Sequence, residues 1–246
     1  MAAIRFDLHI HTCLSPCADL EMAPRAIVAA ALTAGLHSIA TCDHNSSRNS
    51  PALAAACHEA GLPYLHALEI TTAEEAHVLA VFDTSAQAAA MTEIVYAALP
   101  KRPNQPEVFG DQPIVNIDEE IEEIEWRMLA APTRLPLRDV GTHTHTLGGL
   151  FIAAHIDRPV SSVFSQLGVL SGDEGFDALE LSAHGVAEVW HPRTGDLPFI
   201  RSSDSHYLHT IGRAWSQAEL PDFTVNSLRQ ALQDGSITIS PPLGTK

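Results

Sequence analysis

Apolar residues fall along this chain in short runs, with alanine-rich stretches of helical spacing between them. Residues 4–9 alternate as a strand, and 23–35 read as a helix that stops at Gly35. A second strand at 37–42 is followed by a helix over 50–61, closed again by a glycine, Gly61. Strands follow at 63–70 and 77–82, then a helix over 86–99, then strands at 150–155, 178–182 and 199–203. Strand, helix, strand at this rhythm predicts parallel βαβ units. About seven repeats suggest a barrel, open or distorted, because an eightfold barrel more typically needs ~250 residues.

Residues 100–140 break the rhythm with Pro100, Pro103, Pro106, Pro113 and the acidic run Asp118-Glu119-Glu120-Ile121-Glu122-Glu123. That stretch reads as an irregular insertion carrying one charged, solvated helix. The whole chain, residues 1–246, is expected to form one domain around it.

Composition narrows the class. The chain is 46% hydrophobic and 18% charged, which fits a globular protein and not a disordered one. No apolar run approaches the ~18 residues of a membrane span, and the N-terminus lacks a secretory layout, so a cytoplasmic protein is expected. The formal net charge is −16. That disfavours non-specific binding to membrane or to extended nucleic acid, although bound cations can reverse the field locally. Cys13, Cys17, Cys42 and Cys57 crowd into the first quarter, which suits reduced thiols better than a disulfide framework.

Fourteen histidines equal all lysines and arginines together. Placed on the predicted map, His9 and His11 end strand one, Asp43 and His44 end strand two, and Glu69 ends strand three. His77 begins the fourth apolar run, His155 ends the next strand, and Asp204 and His206 follow the last. Carboxyl ends of parallel strands converge on one face, so separate strands deliver imidazoles and carboxylates to one mouth. In His-x-His on an extended segment both rings point the same way and can chelate one ion. Mixed imidazole and carboxylate donors suit zinc, manganese or iron.

At these residues the chain resembles the PHP family, the polymerase and histidinol phosphatase domain, over nearly its whole length. The motifs are Asp7-Leu8-His9-Ile10-His11-Thr12, Thr41-Cys42-Asp43-His44, Glu69 with His77 after it, Ala154-His155-Ile156-Asp157-Arg158-Pro159, and Ser203-Asp204-Ser205-His206. The resemblance implies a distorted (β/α)7 barrel, TIM-barrel-like, with a trinuclear metal site at the C-terminal ends of the strands. It implies one metal at His9, His11, Glu69 and Asp204, a second at Glu69, His77 and His155, and a third at Asp19, His44 and His206. Cys13 and Cys17 flank the Asp19 loop and stand as alternative soft ligands.

The implied chemistry is phosphoester hydrolysis by a metal-bridging hydroxide. Asp204 orients or deprotonates that water, Glu69 bridges, and His206 is either a ligand or the acid to the leaving group. Arg158, Arg48, Arg213 and Arg201 are the expected contacts to a phosphorylated substrate. His143 and His145 form a second His-x-His upstream of a strand, so they are expected at the opposite end and outside the chemistry. His184, His191 and His209 follow strand ends, where they either line the mouth or pack as ordinary surface groups.

The expected substrate is a small phosphomonoester or a short nucleotide. Relatives acting on nucleotides often continue the second motif as Asp-His-Asp-Thr, whereas this chain has Asp43-His44-Asn45-Ser46. An amidohydrolase that bridges its metals with a carboxylated lysine fits less well: the only lysines are Lys101, in the proline-rich loop, and Lys246, the last residue. A non-enzymatic metal-binding module is the remaining class, and an empty ligand position would mark it.

Overall fold

The computed structural model describes residues 2–244. The strands are β1 Ala2–Ile10, β2 Ser38–His44, β3 Tyr64–Thr71, β4 His77–Phe82, β5 Pro113–Val115, β6 Ile121–Ile124, β7 Leu150–Ala153, β8 Ala178–Leu181, β9 Phe199–Arg201, β10 Ser216–Leu220 and β11 Thr238–Ile239. The helices are α1 Pro24–Thr33, α2 Ser50–Ala60, α3 Ser85–Ala98, α4 Pro106–Phe109, α5 Leu137–Thr146, α6 Val163–Leu167, α7 Ala187–Thr194 and α8 Val225–Gln233. Local chemistry sets several of their ends. Pro24 opens α1, a Thr84–Gln87 capping box opens α3, and Gly61 closes α2 at φ 68°, where only glycine is free of strain.

Among the described residues, nine strands form one nearly closed, barrel-shaped sheet in the order β11-β10-β1-β2-β3-β4-β7-β8-β9. The chain beyond β9 completes the turn. Ile10 bridges Ser205, with His11 N–H donating to the Ser205 carbonyl at 2.9 Å.

The strands are not all parallel. β4 runs antiparallel to both β3 and β7, and β10 runs antiparallel to β1. The reason is legible in chain length: a parallel crossover needs a dozen or more residues, and only the short turn 72–76 separates β3 from β4. This reversal brings the start of β4, hence His77, to the end where the neighbouring strands finish.

The barrel interior follows a period of two. Ala40 and Cys42 on β2, Leu65 and Ala67 on β3, Leu79 and Val81 on β4, and Leu150 and Ile152 on β7 form one buried cluster. Each fully buried side chain of this kind stabilises by roughly 1.5–3 kcal/mol. Extending the same parity to the strand ends reaches His44, Glu69 and His77. On β8 and after β9 it leads from Ala178 to Glu180 and from Ile200 to Asp204. On β1, Phe6 and Leu8 face inward, and a register shift between Asp7 and Ile10 flips the parity so that His9 and His11 turn in. The outward residues Leu68, Ile70, Val78 and Phe82 pack beneath α3 and α5. From α8, Leu228, Ala231 and Leu232 join the inner cluster.

The region 100–140 holds no long acidic helix. Apart from the four-residue α4 and the start of α5, it forms an antiparallel β5–β6 hairpin, and the acidic run lies in its turn and exposed second strand. Glu119 sits at φ 65° in that turn, and every residue of β6, Ile121 and Ile124 included, is exposed, so the carboxylates stay in water on both faces of the strand. The region is docked on the barrel mouth. Leu14, Leu99, Ile114, Met128, Leu129 and Ala131 form their own buried cluster, and Asn45 donates to the carbonyls of Leu129 and Ala131.

Candidate metal centre

Glu69 lies at the centre of the mouth, 1% exposed. Its Oε1 is 2.8 Å from His77 Nδ1, 2.9 Å from His155 Nε2 and 3.5 Å from His9 Nε2. Its Oε2 is 3.0 Å from His44 Nδ1 and 3.4 Å from His11 Nε2. Asp204 Oδ1 closes the other side, 3.2 Å from His11 Nε2 and 3.5 Å from His9 Nε2. Two of these residues hold unusual backbone: His155 at φ 28° and Asp204 at φ 50°, a left-handed conformation that costs a non-glycine residue of order 1 kcal/mol or more.

Hydrogen bonds behind the rings settle two tautomers. His9 Nδ1–H donates to Glu180 Oε2 at 2.9 Å. The Ser15 hydroxyl donates its one hydrogen to Asp43 at 2.7 Å, so it accepts from His11 Nδ1–H at 2.8 Å. Both Nε2 atoms therefore face the mouth, 3.2 Å apart. A shared proton bridges two nitrogens at that distance. Against the cost of burial, the carboxylates of Glu180, Asp204 and Glu69 push His9 toward the protonated form, so the pair is built to hold positive charge. This is the donor arrangement of a metal site whose ligands are held by a second layer of hydrogen bonds.

The carboxylates are set to stay ionised. Burial alone pushes Glu69 up, but the imidazoles of His77, His9 and His44 outweigh it and hold it well below the usual carboxylate range. Burial opposed by His9 and His11 likewise holds Asp204 well below its ordinary value. Cys17 is also perturbed. Burial pushes its thiol up, while hydrogen bonds to His206 and His44 prevail and bring it down to about 6.

Among the described residues, donor atoms gather within 4.8 Å of one another in three overlapping sets: His9, His11 and Asp204; His44, Glu69 and His77; and His11, His44 and His206. Seven of the nine expected ligands, His9, His11, His44, Glu69, His77, Asp204 and His206, fall in these sets. His44 joins both the second and third sets, while His155 enters none, its Nε2 lying 2.9 Å from Glu69 Oε1 and its ring against those of His9 and His77. Asp19 enters none of the sets. Its Oδ1 accepts from Glu21 N–H at 2.8 Å, a local turn that keeps the carboxylate on its own loop.

The four arginines separate. Arg158 pairs with Asp204 Oδ2 at 2.5 Å. With Arg213, Cys17, His184, His206 and Tyr207 it lines a cavity of about 460 Å³ beside the cluster. Arg48, expected as a substrate contact, instead pairs with Glu123 at 2.6 Å and Glu125 at 3.4 Å on the docked insertion. Arg201, the other such expectation, is fully buried and donates to the carbonyls of Ala183 and Gly185, bracing the loop after β8. Its parity on β9 is opposite to that of the inward Ile200, so it leaves the barrel wall on the outer side, beneath that loop and away from the mouth.

His143 and His145 lie on α5, outside the barrel, with His145 paired to Asp177 at 2.9 Å. Of the histidines after strand ends, His184 lines the cavity, His191 packs on Phe199, and His209 on Tyr207. Lys101 is exposed at the start of the insertion, and Lys246 lies outside the described residues.

The residue that sequence reasoning missed is Glu180. It is 1% exposed at the end of β8 and accepts from both His9 Nδ1–H and the His155 backbone N–H, the latter at 3.0 Å. Its signal was present, since Ala178-Leu179-Glu180-Leu181 places a carboxylate at the end of an apolar strand just as Glu69 does.

Barrel and mouth together define a PHP-like fold. The comparisons with known proteins agree. The PHP-associated family profile matches residues 193–237, and no curated protein matches the chain. Endonuclease Q of Pyrococcus furiosus, a lesion-specific endonuclease, is 21% identical with a TM-score of 0.71, and the match covers 97% of this chain and 58% of that one. A second endonuclease Q structure holds a 27-mer duplex with an abasic lesion at its active site, with a TM-score of 0.70 and 21% identity over 95% of this chain and 57% of that one. This chain therefore spans less than two thirds of endonuclease Q. A protein of Bifidobacterium adolescentis described as a metal-dependent phosphoesterase is 20% identical, TM-score 0.60, over 95% of this chain and 96% of that one. An amidohydrolase of Chromobacterium violaceum with bound sulfate is 17% identical, TM-score 0.58, over 97% and 98%. At these identities the likeness is one of fold.

Proposed function

We propose that the protein is a metal-dependent hydrolase of phosphoester bonds, acting on a small phosphomonoester or a short nucleotide. The observation that carries this reading is the buried Glu69 carboxylate ringed by the imidazoles of His9, His11, His44, His77 and His155. His9, His11 and Asp204 hold one divalent ion, Glu69, His77 and His155 a second, and His44 and His206 contribute to a third. Zinc, manganese or iron bound there supplies Lewis acidity toward phosphoryl oxygens and lowers the pKa of water.

The chain's own groups do the rest. Glu69 presents one oxygen to each side of the cluster, a bridging geometry. Asp204 is ionised and accepts a hydrogen bond from the attacking water at Oδ1. Its Oδ2 holds the Arg158 guanidinium over the cavity, ready to exchange that partner for a phosphate oxygen. Arg213, on the same cavity wall, supplies a second cation for the substrate anion.

A DNA phosphodiester is the second reading, favoured by the likeness to endonuclease Q. The net charge of −16 and a cavity of about 460 Å³ favour the small substrate. The test is phosphate release from a panel of phosphomonoesters and nucleotides, beside cleavage of labelled duplex and single-stranded oligonucleotides, each with and without chelator. Chelator-sensitive release from small esters supports the proposal. Cleavage of duplex alone replaces it with the second reading, and no turnover of either by a metal-loaded chain refutes both.

A further inference from the structure

A nitrogen given to a metal cannot also hand a proton to a departing alcohol. Of the two histidines that line the cavity, His206 belongs to a donor set and His184 to none. His184 follows β8 and is exposed on its solvent side. Its loop is held from three directions. Buried Arg201 donates to the carbonyls on either side of it, Ala183 at 3.3 Å and Gly185 at 2.5 Å. Asp157 accepts from the Ser182 N–H at 2.7 Å and the Ser182 hydroxyl at 2.6 Å, which leaves that hydroxyl to accept from the His184 N–H at 3.2 Å. Only a glycine fits next to that carboxylate: a Cβ on Gly185 would lie 2.9 Å from the Asp157 carboxyl carbon. The segment after β11 crosses the loop from the other side. Leu243 N–H donates to the Ala183 carbonyl at 2.7 Å, and the Leu243 carbonyl accepts from His184 Nδ1–H at 3.1 Å. A carbonyl only accepts, so the ring carries its proton on Nδ1. Among the described residues Nε2 of His184 has no partner, which leaves it for the cavity.

From this placement we infer that His184 is the general acid that protonates the leaving oxygen of the phosphoester. The inference rests on the reading of the mouth as a phosphoesterase centre and supplies the proton donor which that reading lacks. As an imidazolium the ring donates from both nitrogens, Nδ1–H to Leu243 and Nε2–H to the ester oxygen. The attacking water forms its bond to phosphorus while the bond from phosphorus to the ester oxygen breaks. The bonding pair stays on the ester oxygen, which takes the proton from Nε2 and departs as an alcohol. The proton shed by the water passes to Asp204 Oδ1. The neutral His184 ring, exposed on one side, regains its proton from solvent. Such a transfer needs Nε2 held within hydrogen-bond reach of the ester oxygen, and that is what a buried guanidinium under the loop and a backbone carbonyl behind the ring provide. Arg158 and Arg213 line the same cavity, where they hold the phosphate.

Leaving groups of different basicity are the probe, because an alkoxide needs a proton donor and a nitrophenolate hardly does. Turnover of an alkyl phosphate and of p-nitrophenyl phosphate is measured for the metal-loaded whole chain, unmodified and as His184→Ala and Tyr207→Phe, Tyr207 being the phenol on the same cavity. Metal content and circular dichroism check that each is loaded and folded. In His184→Ala the expected loss of kcat is about 10²-fold on the alkyl ester and about tenfold smaller on the nitrophenyl ester. A loop that is merely disturbed lowers both alike. In the metal-free chain at alkaline pH, ring-nitrogen chemical shifts of His184 should show the Nδ1–H tautomer. Equal losses on the two esters, a leaving-group-dependent loss in Tyr207→Phe but not in His184→Ala, or an Nε2–H tautomer overturns the inference and leaves the metal centre standing. A loaded, unmodified chain that releases phosphate from neither ester overturns both.

Discussion

Changing Glu180 to glutamine alters one charge while keeping the shape of a side chain that touches no solvent. In the native site its Oε2 accepts from His9 Nδ1–H at 2.9 Å and from the His155 backbone N–H at 3.0 Å. A hydrogen bond to a charged acceptor contributes about 1.5–3 kcal/mol, and one to a neutral acceptor about 1 kcal/mol. Glutamine can still accept through its carbonyl oxygen, so the expected loss is about 1–1.5 kcal/mol. That is roughly a tenfold weakening of metal held through His9, at the lower end of what removal of such supporting partners costs. The charge also matters for the other tautomer. A neutral amide oxygen holds the proton on Nδ1 less firmly than a carboxylate does, so a larger share of chains presents an N–H to the metal position instead of a lone pair. The assay is zinc affinity in competition with a chromophoric chelator, with thermal unfolding of the metal-free chain as a control. Affinity within about twofold of the unmodified chain, at an unchanged unfolding temperature, would refute the reasoning that Glu180 sets the tautomer of a metal ligand.

Other outcomes follow from the same geometry. His9→Ala should abolish turnover and lower metal content, whereas His143→Ala, on the far side of the barrel wall, should do neither; equal effects in metal analysis and phosphate release would contradict the placement of the centre. Gly149→Ala places a methyl 2.5 Å from the Phe82 ring and 2.7 Å from the Val81 carbonyl, so calorimetry should record a loss of about 1–3 kcal/mol. His66 accepts or donates at Ser50 Oγ, 2.7 Å away, and burial pulls its pKa from 6.5 down to about 4. The unfolded chain takes up that proton first, so this contribution to stability is complete above pH 6.5 and is lost as pH falls toward 4, by on the order of 2 kcal/mol after allowance for partial solvent access. Denaturant titration at pH 7 and pH 4.5 should therefore show a smaller acid-induced loss in His66→Gln than in the unmodified chain.

Much of this centre is written in local pattern. His9, His11, His44, Glu69, His77, His155, Asp204 and His206 could all be picked out because each ends or begins an apolar run, and strand ends in an α/β barrel share a face. The inward direction of His44, Glu69 and His77 is also a local property, since it continues the two-residue alternation of Cys42, Ala67 and Leu79 below them. Even the reversal of β4 follows from the short turn before it.

Other assignments depended on which surfaces meet, and no window of sequence contains that. Whether Arg48 reaches a substrate or a carboxylate depended on where the insertion docks, and Glu123 lies 75 residues away. Asp19 is a metal-type residue on the loop after the first motif, yet its N–H is tied to the His206 carbonyl, far along the chain, while its carboxylate turns back to the Glu21 N–H. Glu180 acquires its role only because β8 brings it against His9 across 171 positions. Periodicity reports which way a side chain leaves its own strand, because that is a property of the backbone; which partner it then meets is set by closure of the barrel and docking of its loops, which tertiary packing alone determines.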